Sequence, residues 1–274
     1  MFFAAFLFAL LNFIFKLDKL AIKQVFISGN KNIETGLIYD VTKENLSGNY
    51  YYMFPKNNIL IYPRDEIENS LKKNFMRIKY VDIASVLGNL SLSISEREPA
   101  YLWCDDADKD AIDRICYYLD EDGFTFAIAP QFSGDVYLSF YGGNKRGGYM
   151  GRSVLETASF HSIVDIKNYF LKAITSEHIQ LGVLSGIYIY KNGDFDLLFG
   201  NGNSKWRLSI NLPEGDSINS QSENSLESKL FAILNSQVFK DELNHANNKL
   251  EYIDLRFGKK VFYKFSHIGY IGTK

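Results

Sequence analysis

LEYIDLRFGKKVFYKF, residues 250 to 265, decides how the C-terminal half of this chain of 274 residues folds. From Ile253 to Phe265 most odd positions are apolar or aromatic, whereas even positions include Asp254 and Arg256. A period of two is typical of a β-strand with one buried face. We predict one strand here, at a sheet edge whose unpaired backbone groups suit the addition of a partner strand. We also expect Asp254 and Arg256, which share a face, to form an ion pair.

The composition is that of an ordinary folded protein with room for two modest domains. The chain is 46% apolar and 23% charged, with a formal net charge of -2. Such a balance lacks the general basic character that attracts nucleic acid, so we expect no nucleic-acid partner. The 22 Phe and 18 Tyr residues, with only 5 Pro, favour a sheet-rich fold.

The apolar stretch MFFAAFLFALLNFIF at residues 1–15 is interpreted as a single membrane anchor. It is apolar around a whole helix circumference, unlike a surface helix, and it falls a few residues short of the roughly 20 that span a bilayer. We expect an anchor over residues 1–18, truncated at its N-terminus, with the bulk of the chain extracytoplasmic. A basic tail before Met1 would give that orientation, because Lys16 and Lys19 alone favour the opposite one. The alternatives are a secretory signal and a core helix.

Residues 20–98 are predicted to form a first domain in the order strand, helix, helix, strand, strand. A β-rich run precedes a helix whose expected N-cap is Asn32. A second helix begins after Pro63, with acidic residues early and lysines late, as the helix dipole favours. The segment RIKYVDIASVLGNLSLSISEREP is typical of a hairpin that turns at Gly88. A three-stranded sheet with two helices on one face would bury every apolar stripe.

Residues 99–266 are predicted to form a second, mainly antiparallel β domain, followed by a C-terminal tail over 267–274. CYYLDEDGFTFAI and GIYIYKNGDFDLLFG each place a Gly-containing turn between two apolar runs, and SKWRLSINL supplies a further strand. Helical spacing of apolar residues predicts helices over 159–174 and 225–239. The expected fold class is therefore α+β, with helices on one face of a curved sheet.

No motif in the chain predicts a catalytic centre, a cofactor or a metal site. Asp106, Asp108 and Asp110 occupy the first three ligand positions of a calcium loop, but Ala111 and Tyr117 stand where that loop needs Gly and Glu. We interpret this stretch as a solvated acidic loop. The Gly-rich YGGNKRGGYMG lacks the Lys and Ser/Thr of a phosphate-binding loop.

Cys104 and Cys116 are the two cysteines of the chain and lie twelve residues apart. In an extracytoplasmic protein they would form a disulfide, which would stabilise the fold by about 3 kcal/mol. Two buried free thiols are the alternative.

Several of these segments together resemble the FtsQ/DivIB family of bacterial cell division proteins. The strand ending VFISGN, the later ILIYP and the closing SEREP are similar to that family's polypeptide-transport-associated (POTRA) domain. CYYLDEDGFTF is similar to the strand-turn-strand that opens the family's β domain, and LEYIDLRF is similar to a segment near its C-terminus. The resemblance covers roughly Leu20 to Phe265.

The resemblance implies a non-catalytic scaffold of the divisome at the division septum, without cofactor or small-molecule substrate. In that family the β domain binds bitopic coiled-coil division proteins, FtsB/DivIC and FtsL, and the assembly helps regulate septal peptidoglycan synthesis. By position, the partner-binding strand matches Phe257, Lys259, Val261, Tyr263 and Phe265.

Two other functions are weighed against this one. A POTRA-containing outer-membrane assembly or secretion component would carry tandem copies of the domain and a C-terminal barrel. An anchored extracytoplasmic enzyme would need a convergent set of titratable groups.

Overall fold

The structure is a computed structural model that describes most of the chain. The described residues are 3, 13–86, 88–104, 115–134, 136–142, 149–176, 181–201, 204–212, 225–245 and 248–267. Most of the predicted anchor, the acidic loop at 105–114, the centre of the Gly-rich stretch at 143–148 and the tail beyond residue 267 lie outside them. Within the described residues, no helix combines the length and the apolar character that crossing a bilayer requires.

The chain divides into two compact units, Met1–Glu98 and Pro99–Lys274. Each unit combines helices with a sheet, so the fold class is α+β.

The first unit follows the order strand, helix, helix, strand, strand, with a short two-stranded ribbon inserted between the helices. Its elements are β1 (Gln24–Ser28), α1 (Thr35–Asn45), β2 (Asn49–Tyr50), β3 (Phe54–Pro55), α2 (Arg64–Asn74), β4 (Ile78–Val86) and β5 (Asn89–Glu96). Among the described residues, a three-stranded sheet runs β1-β5-β4, with β1 parallel and β4 antiparallel to β5. The predicted hairpin is therefore present.

One face of this sheet and the two helices enclose the core of the first unit. Ile38 of α1, Ile67 and Leu71 of α2, and Leu90 and Leu92 of β5 are all fully buried. Their helical and alternating spacings are those that the sequence predicts.

The first helix begins later than predicted, with Glu34 rather than Asn32 at its N-cap. Asn32 does not cap the helix because its backbone and side-chain N–H groups donate instead to the carboxylate of Glu96. The chain thus stays in a loop until Thr35.

The carboxylate of Glu96 holds the end of β5 against the turn that follows β1. Its Oε1 accepts hydrogen bonds from the backbone N–H groups of Lys31 at 2.7 Å, Asn32 at 2.9 Å and Ile33 at 3.1 Å. Its Oε2 accepts one from Asn32 Nδ2 at 2.9 Å. Partial burial by itself would raise the pKa of Glu96, but these hydrogen bonds outweigh burial and leave the pKa below its ordinary value.

We expect Glu96→Ala to lower the free energy of unfolding of the first unit by about 1–3 kcal/mol, because three backbone donors lose a charged acceptor. Since the pKa of Glu96 is lowered by folding, its contribution is present at neutral pH and is lost as pH falls through that lowered pKa. Hydrogen exchange of peptides from the first unit measures both effects, since both Trp residues of the chain lie in the second unit.

The matched control is Glu98→Ala, because Glu98 is an exposed carboxylate that pairs with Lys31 at 2.6 Å. An exposed pair contributes little, so this variant should exchange almost like the parent chain. Equal effects of the two variants, or a Glu96 effect that does not shrink in acid, would contradict the assignment.

The second unit contains one large sheet and three helices in its described part. Its elements are β6 (Tyr101–Cys104), β7 (Cys116–Leu119), β8 (Thr125–Ile128), β9 (Ser139–Gly142), α3 (Thr157–Ser176), β10 (Val183–Ile189), β11 (Phe195–Asn201), β12 (Ser204–Ile210), α4 (Leu226–Leu234), α5 (Gln237–Asn244), β13 (Asn248–Phe257) and β14 (Lys260–His267).

The strand order of this sheet, over the described residues, is β14-β13-β12-β11-β10-β9-β6-β7-β8. Most neighbours are antiparallel, as predicted, but β12 with β13, β10 with β9 and β9 with β6 are parallel. The sheet is therefore mixed. The short strands β6 and β9, which the sequence analysis did not predict, lie inside the sheet between β10 and β7.

The three helices share one apolar core with the sheet. Phe160, Ile163 and Phe170 of α3 belong to the same buried cluster as Phe199 and Trp206 of the strands. The Phe199 and Trp206 rings stack at 4.3 Å between centroids. The core therefore depends on aromatic packing.

The helix predicted over 225–239 is broken into α4 and α5 at Asn235 and Ser236. Ser236 has an extended backbone, and its hydroxyl accepts the N–H of Phe239, which starts a new helix. In this new helix, α5, the side chain of Phe239 is completely buried.

Cys104 and Cys116 are joined by a disulfide. They occupy directly paired positions on β6 and β7, toward the β8 end of the sheet. The disulfide therefore links the two ends of the segment between Cys104 and Cys116, whose sequence contains the acidic stretch.

Candidate partner-binding edge

The stretch that the sequence analysis treats as one strand is a β-hairpin. Phe257 at the end of β13 pairs with Lys260 at the start of β14, so Gly258 and Lys259 form the turn. Gly258 has a φ of +48°, a left-handed conformation that favours glycine. The prediction of a single strand from Ile253 to Phe265 is therefore wrong, although the terminal strand does lie at a sheet edge.

The pairing register explains why the alternating pattern hides the turn. Ile253 pairs with Tyr263, so odd-numbered residues next to this pair, such as Leu255 and Val261, share the face of the sheet that packs on the core. Between the pairs Asp254–Phe262 and Phe257–Lys260 the register shifts by one residue, as in a β-bulge. The alternation of apolar and polar residues along the sequence therefore continues through the turn at Gly258 and Lys259.

Three of the five predicted partner-binding residues fix β14 to the helices. Val261, Tyr263 and Phe265 are partly buried against the core of the second unit. The ring of Phe239 on α5 lies 5.2 Å from that of Tyr263 and 5.7 Å from that of Phe265. Their side chains therefore position the edge, and the outward backbone of the strand is what remains for a partner.

The exposed aromatic surface of the hairpin is formed by Phe257 and Phe262. Their rings meet edge to face at 5.4 Å, and Phe262 is 46% exposed. The bulge brings Phe257 to the side of Phe262, away from the core. Sequence reasoning missed Phe262, although an aromatic residue at an even position of an otherwise charged face was the available signal. Lys259 lies in the turn between them.

The two ends of the sheet differ in how far their outer edges are covered. At the short strand β8, Thr125 donates its N–H to Arg152 and accepts one from Gly151, and both bonds are 2.9 Å long. At the eight-residue strand β14, no backbone group of the described residues pairs along the side opposite β13. Long uncovered edges are unusual in proteins and are a template for another strand.

A charged network on the sheet holds the base of the hairpin. Arg256 donates from Nε to Asp254 Oδ1 at 3.0 Å and from Nη2 to Asp254 Oδ2 at 2.7 Å, which confirms the predicted ion pair. Its Nη1 also reaches Asp194 Oδ2 at 3.3 Å, in the turn between β10 and β11. Burial by itself would raise the pKa of Asp254, but the hydrogen bonds from Arg256 lower it below its ordinary value.

Further polar contacts extend this network across β11, β12 and β14. Lys264 pairs with Glu251 at 2.6 Å, and the hydrogen bond from that ammonium lowers the pKa of Glu251. The Tyr190 hydroxyl donates to buried Asp196 at 2.7 Å. Burial and this hydrogen bond raise the pKa of Tyr190 to about 12. Arg207 stacks over Tyr252, with 5.7 Å between the guanidinium carbon and the ring centroid.

No group of three or more His, Cys, Asp or Glu side chains in the described residues is placed to hold a metal ion. Neither a protein-family model nor a curated protein matches the chain.

We expect Arg256→Ala to lower the free energy of unfolding of the second unit by about 1–3 kcal/mol, because Asp254 is then left largely buried without its cation. Urea unfolding followed by Trp fluorescence measures this change, since Trp206 lies on β12 beside β13. The control is Lys264→Ala, which removes the more exposed pair with Glu251 and should lower stability much less than Arg256→Ala does. Equal losses would contradict a specific role for Arg256.

Proposed function

We propose that this chain is a non-catalytic, membrane-anchored scaffold of the bacterial divisome. In this proposal it binds FtsB/DivIC-like and FtsL-like coiled-coil division proteins by strand addition along β14 and helps control septal peptidoglycan synthesis. The observation that carries the proposal is the eight-residue edge strand, which has no backbone partner on its outer side among the described residues.

The architecture of both units is consistent with the resemblance. The strand, helix, helix, strand, strand order of the first unit and its sheet order β1-β5-β4 suit a POTRA domain. The second unit has an open sheet with helices packed into one core, and its edge strand β14 contains most of the residues that the resemblance assigns to partner binding. These features support the proposal.

The disulfide between Cys104 and Cys116 supports an extracytoplasmic position for the second unit. Disulfides persist in oxidising compartments and are rare in the cytosol. Together with the apolar segment at residues 1–15, it favours a single-pass protein with its bulk outside the cytoplasm.

The chemistry of the hairpin indicates what a partner segment should carry. Backbone groups along β14 would bind an extended strand, and the Phe257–Phe262 pair would accept an apolar side chain beside it. Lys260 at the start of β14 favours an acidic residue flanking that segment, which would speed association more than it would tighten it.

The proposal is tested by site-specific photo-cross-linking in the full chain, co-expressed with the FtsB/DivIC-like and FtsL-like proteins of the same genome. A benzophenone amino acid replaces Phe262 on β14 or, as the matched control, Ile128 on the opposite edge strand, which is 64% exposed. We expect cross-links to the division proteins from position 262 and none from position 128. In a binding assay Phe262→Ala should weaken the complex about tenfold, as loss of an exposed aromatic anchor does, and Ile128→Ala should not.

Cross-links from position 128 alone would place the interface elsewhere. A chain that co-purifies with neither division protein would contradict the proposed function itself.

A further inference from the structure

The turn between β2 and β3 holds two consecutive tyrosines in a conformation that side chains rarely adopt. Tyr51 has a φ of +48° and Tyr52 a φ of +63°, both in the left-handed region. Their side chains are 86% and 98% exposed. A bulky residue in this region is strained, and two in succession are unusual.

The turn is closed by a backbone hydrogen bond from the N–H of Met53 to the carbonyl of Tyr50 at 3.0 Å. A hairpin turn of this kind uses positive φ at both central residues, but Asn and Gly adopt it at lower cost than tyrosine. In the described part of the chain, neither tyrosine side chain makes a hydrogen bond, a ring contact or a cation contact. The neighbouring residues behave otherwise: Tyr50 lies under Lys56, and Phe54 packs against another ring. The turn geometry thus serves the ribbon, but two exposed tyrosines are an unfavourable choice for it, and no described contact gives their side chains a role inside the fold. This choice of residues points to a function outside the fold.

The position of the turn indicates what that function is, because the ribbon packs on the end of the apolar N-terminal segment. The ring of Phe54 meets that of Phe15 edge to face at 5.5 Å. The side-chain amide of Asn58 donates to the carbonyl of Phe15 at 2.8 Å. The N–H of Ile59 donates to Leu20 at 2.9 Å. Tyr52 lies two residues from Phe54, so the backbone places its Cα within about 7 Å of the Cα of Phe54.

The exposed residues around this contact have the composition of a membrane interface. Phe13, Leu17 and Leu60 are large apolar residues left exposed beside it, and Lys16 and Lys19 are exposed as well. Tyrosine rings are enriched where the bilayer core meets water, and lysines there attract anionic lipid headgroups.

We propose that the Tyr51–Tyr52 turn is a second membrane contact, which inserts its two rings into the interfacial layer of the bilayer beside the end of the anchor. The inference rests on the membrane anchor of the proposed function. If residues 1–15 cross the bilayer, Phe15 ends at interfacial depth, and the ribbon that touches Phe15 reaches the same depth. The tyrosines then fix the orientation of the first unit against the membrane, which a single flexible tether does not do.

The test uses the full chain in vesicles of phosphatidylcholine and phosphatidylglycerol, with Tyr52→Trp as the reporter. Trp103 and Trp206 are nearly fully buried, so the parent chain supplies the background spectrum. The matched control is Tyr80→Trp, because Tyr80 is a 60% exposed tyrosine on β4 of the same unit. We expect the new Trp at position 52 to emit at shorter wavelength, to be quenched by brominated lipid and to be shielded from acrylamide. The Trp at position 80 should show the opposite behaviour.

The outcomes separate this inference from the proposed anchor. If the chain does not float with the vesicles, both are contradicted. If it floats but positions 52 and 80 are quenched alike, the interfacial contact alone is overturned. Shielding of position 52 from acrylamide without quenching by brominated lipid would mean that protein covers the turn, and would also overturn the proposal.

A second variant tests the strain itself. Tyr51→Asn combined with Tyr52→Gly places residues that tolerate positive φ at both positions, so the midpoint of thermal unfolding should rise by a few degrees. The same variant should weaken the shielding of the first unit by the membrane, measured as faster hydrogen exchange of β2 and β3 in vesicles. A variant that is no more stable than the parent would show that the tyrosines cost nothing, and would remove the argument for a function outside the fold.

Discussion

An open β-sheet leaves the backbone N–H and C=O groups of its outermost strands without partners unless something covers them. The second unit handles its two ends differently. At one end β8 is four residues long, and backbone from Gly151 and Arg152 covers its first residue. At the other end β14 offers eight residues, and in the described part of the chain nothing pairs with its outer side. This asymmetry is the constraint from which the proposed binding mode follows.

The uncovered edge is held in place from two directions. On the core side, Phe239 of α5 contacts both Tyr263 and Phe265, which supports the strand at these two residues. At the base of the hairpin, Arg256 ties Asp254 to Asp194 in the neighbouring turn. A rigid edge loses little conformational entropy when a partner strand adds to it, so more of the backbone bonding is available as affinity. In the first unit, by contrast, an exposed turn holds Tyr51 and Tyr52 in a left-handed backbone conformation that is unfavourable for tyrosine.

Turns and helix starts that depend on residues close together in the sequence were predictable. The turn after Asn192 and the helix after Pro63 both follow the sequence signals, because each depends on residues within a few positions. Features that depend on distant partners were not. Asn32 fails as a helix cap because Glu96, far along the chain, binds it. The terminal hairpin was hidden because most odd-numbered residues from Ile253 to Phe265 are apolar on both strands, and a bulge before Phe257 absorbs a register shift of one residue. Phe262 was missed for the same reason, since its exposure depends on which side of the hairpin faces the helices.

The most direct test of strand addition is amide hydrogen exchange across Lys260–His267 in the full chain, with and without the FtsB/DivIC-like protein of the same genome. In an antiparallel pair alternate residues point their N–H groups away from the neighbouring strand. The account predicts that these alternate amides of β14 exchange rapidly in the free chain and slow strongly in the complex, while those already bonded to β13 change little. A bound complex in which all amides of β14 exchange as they do in the free chain would contradict it.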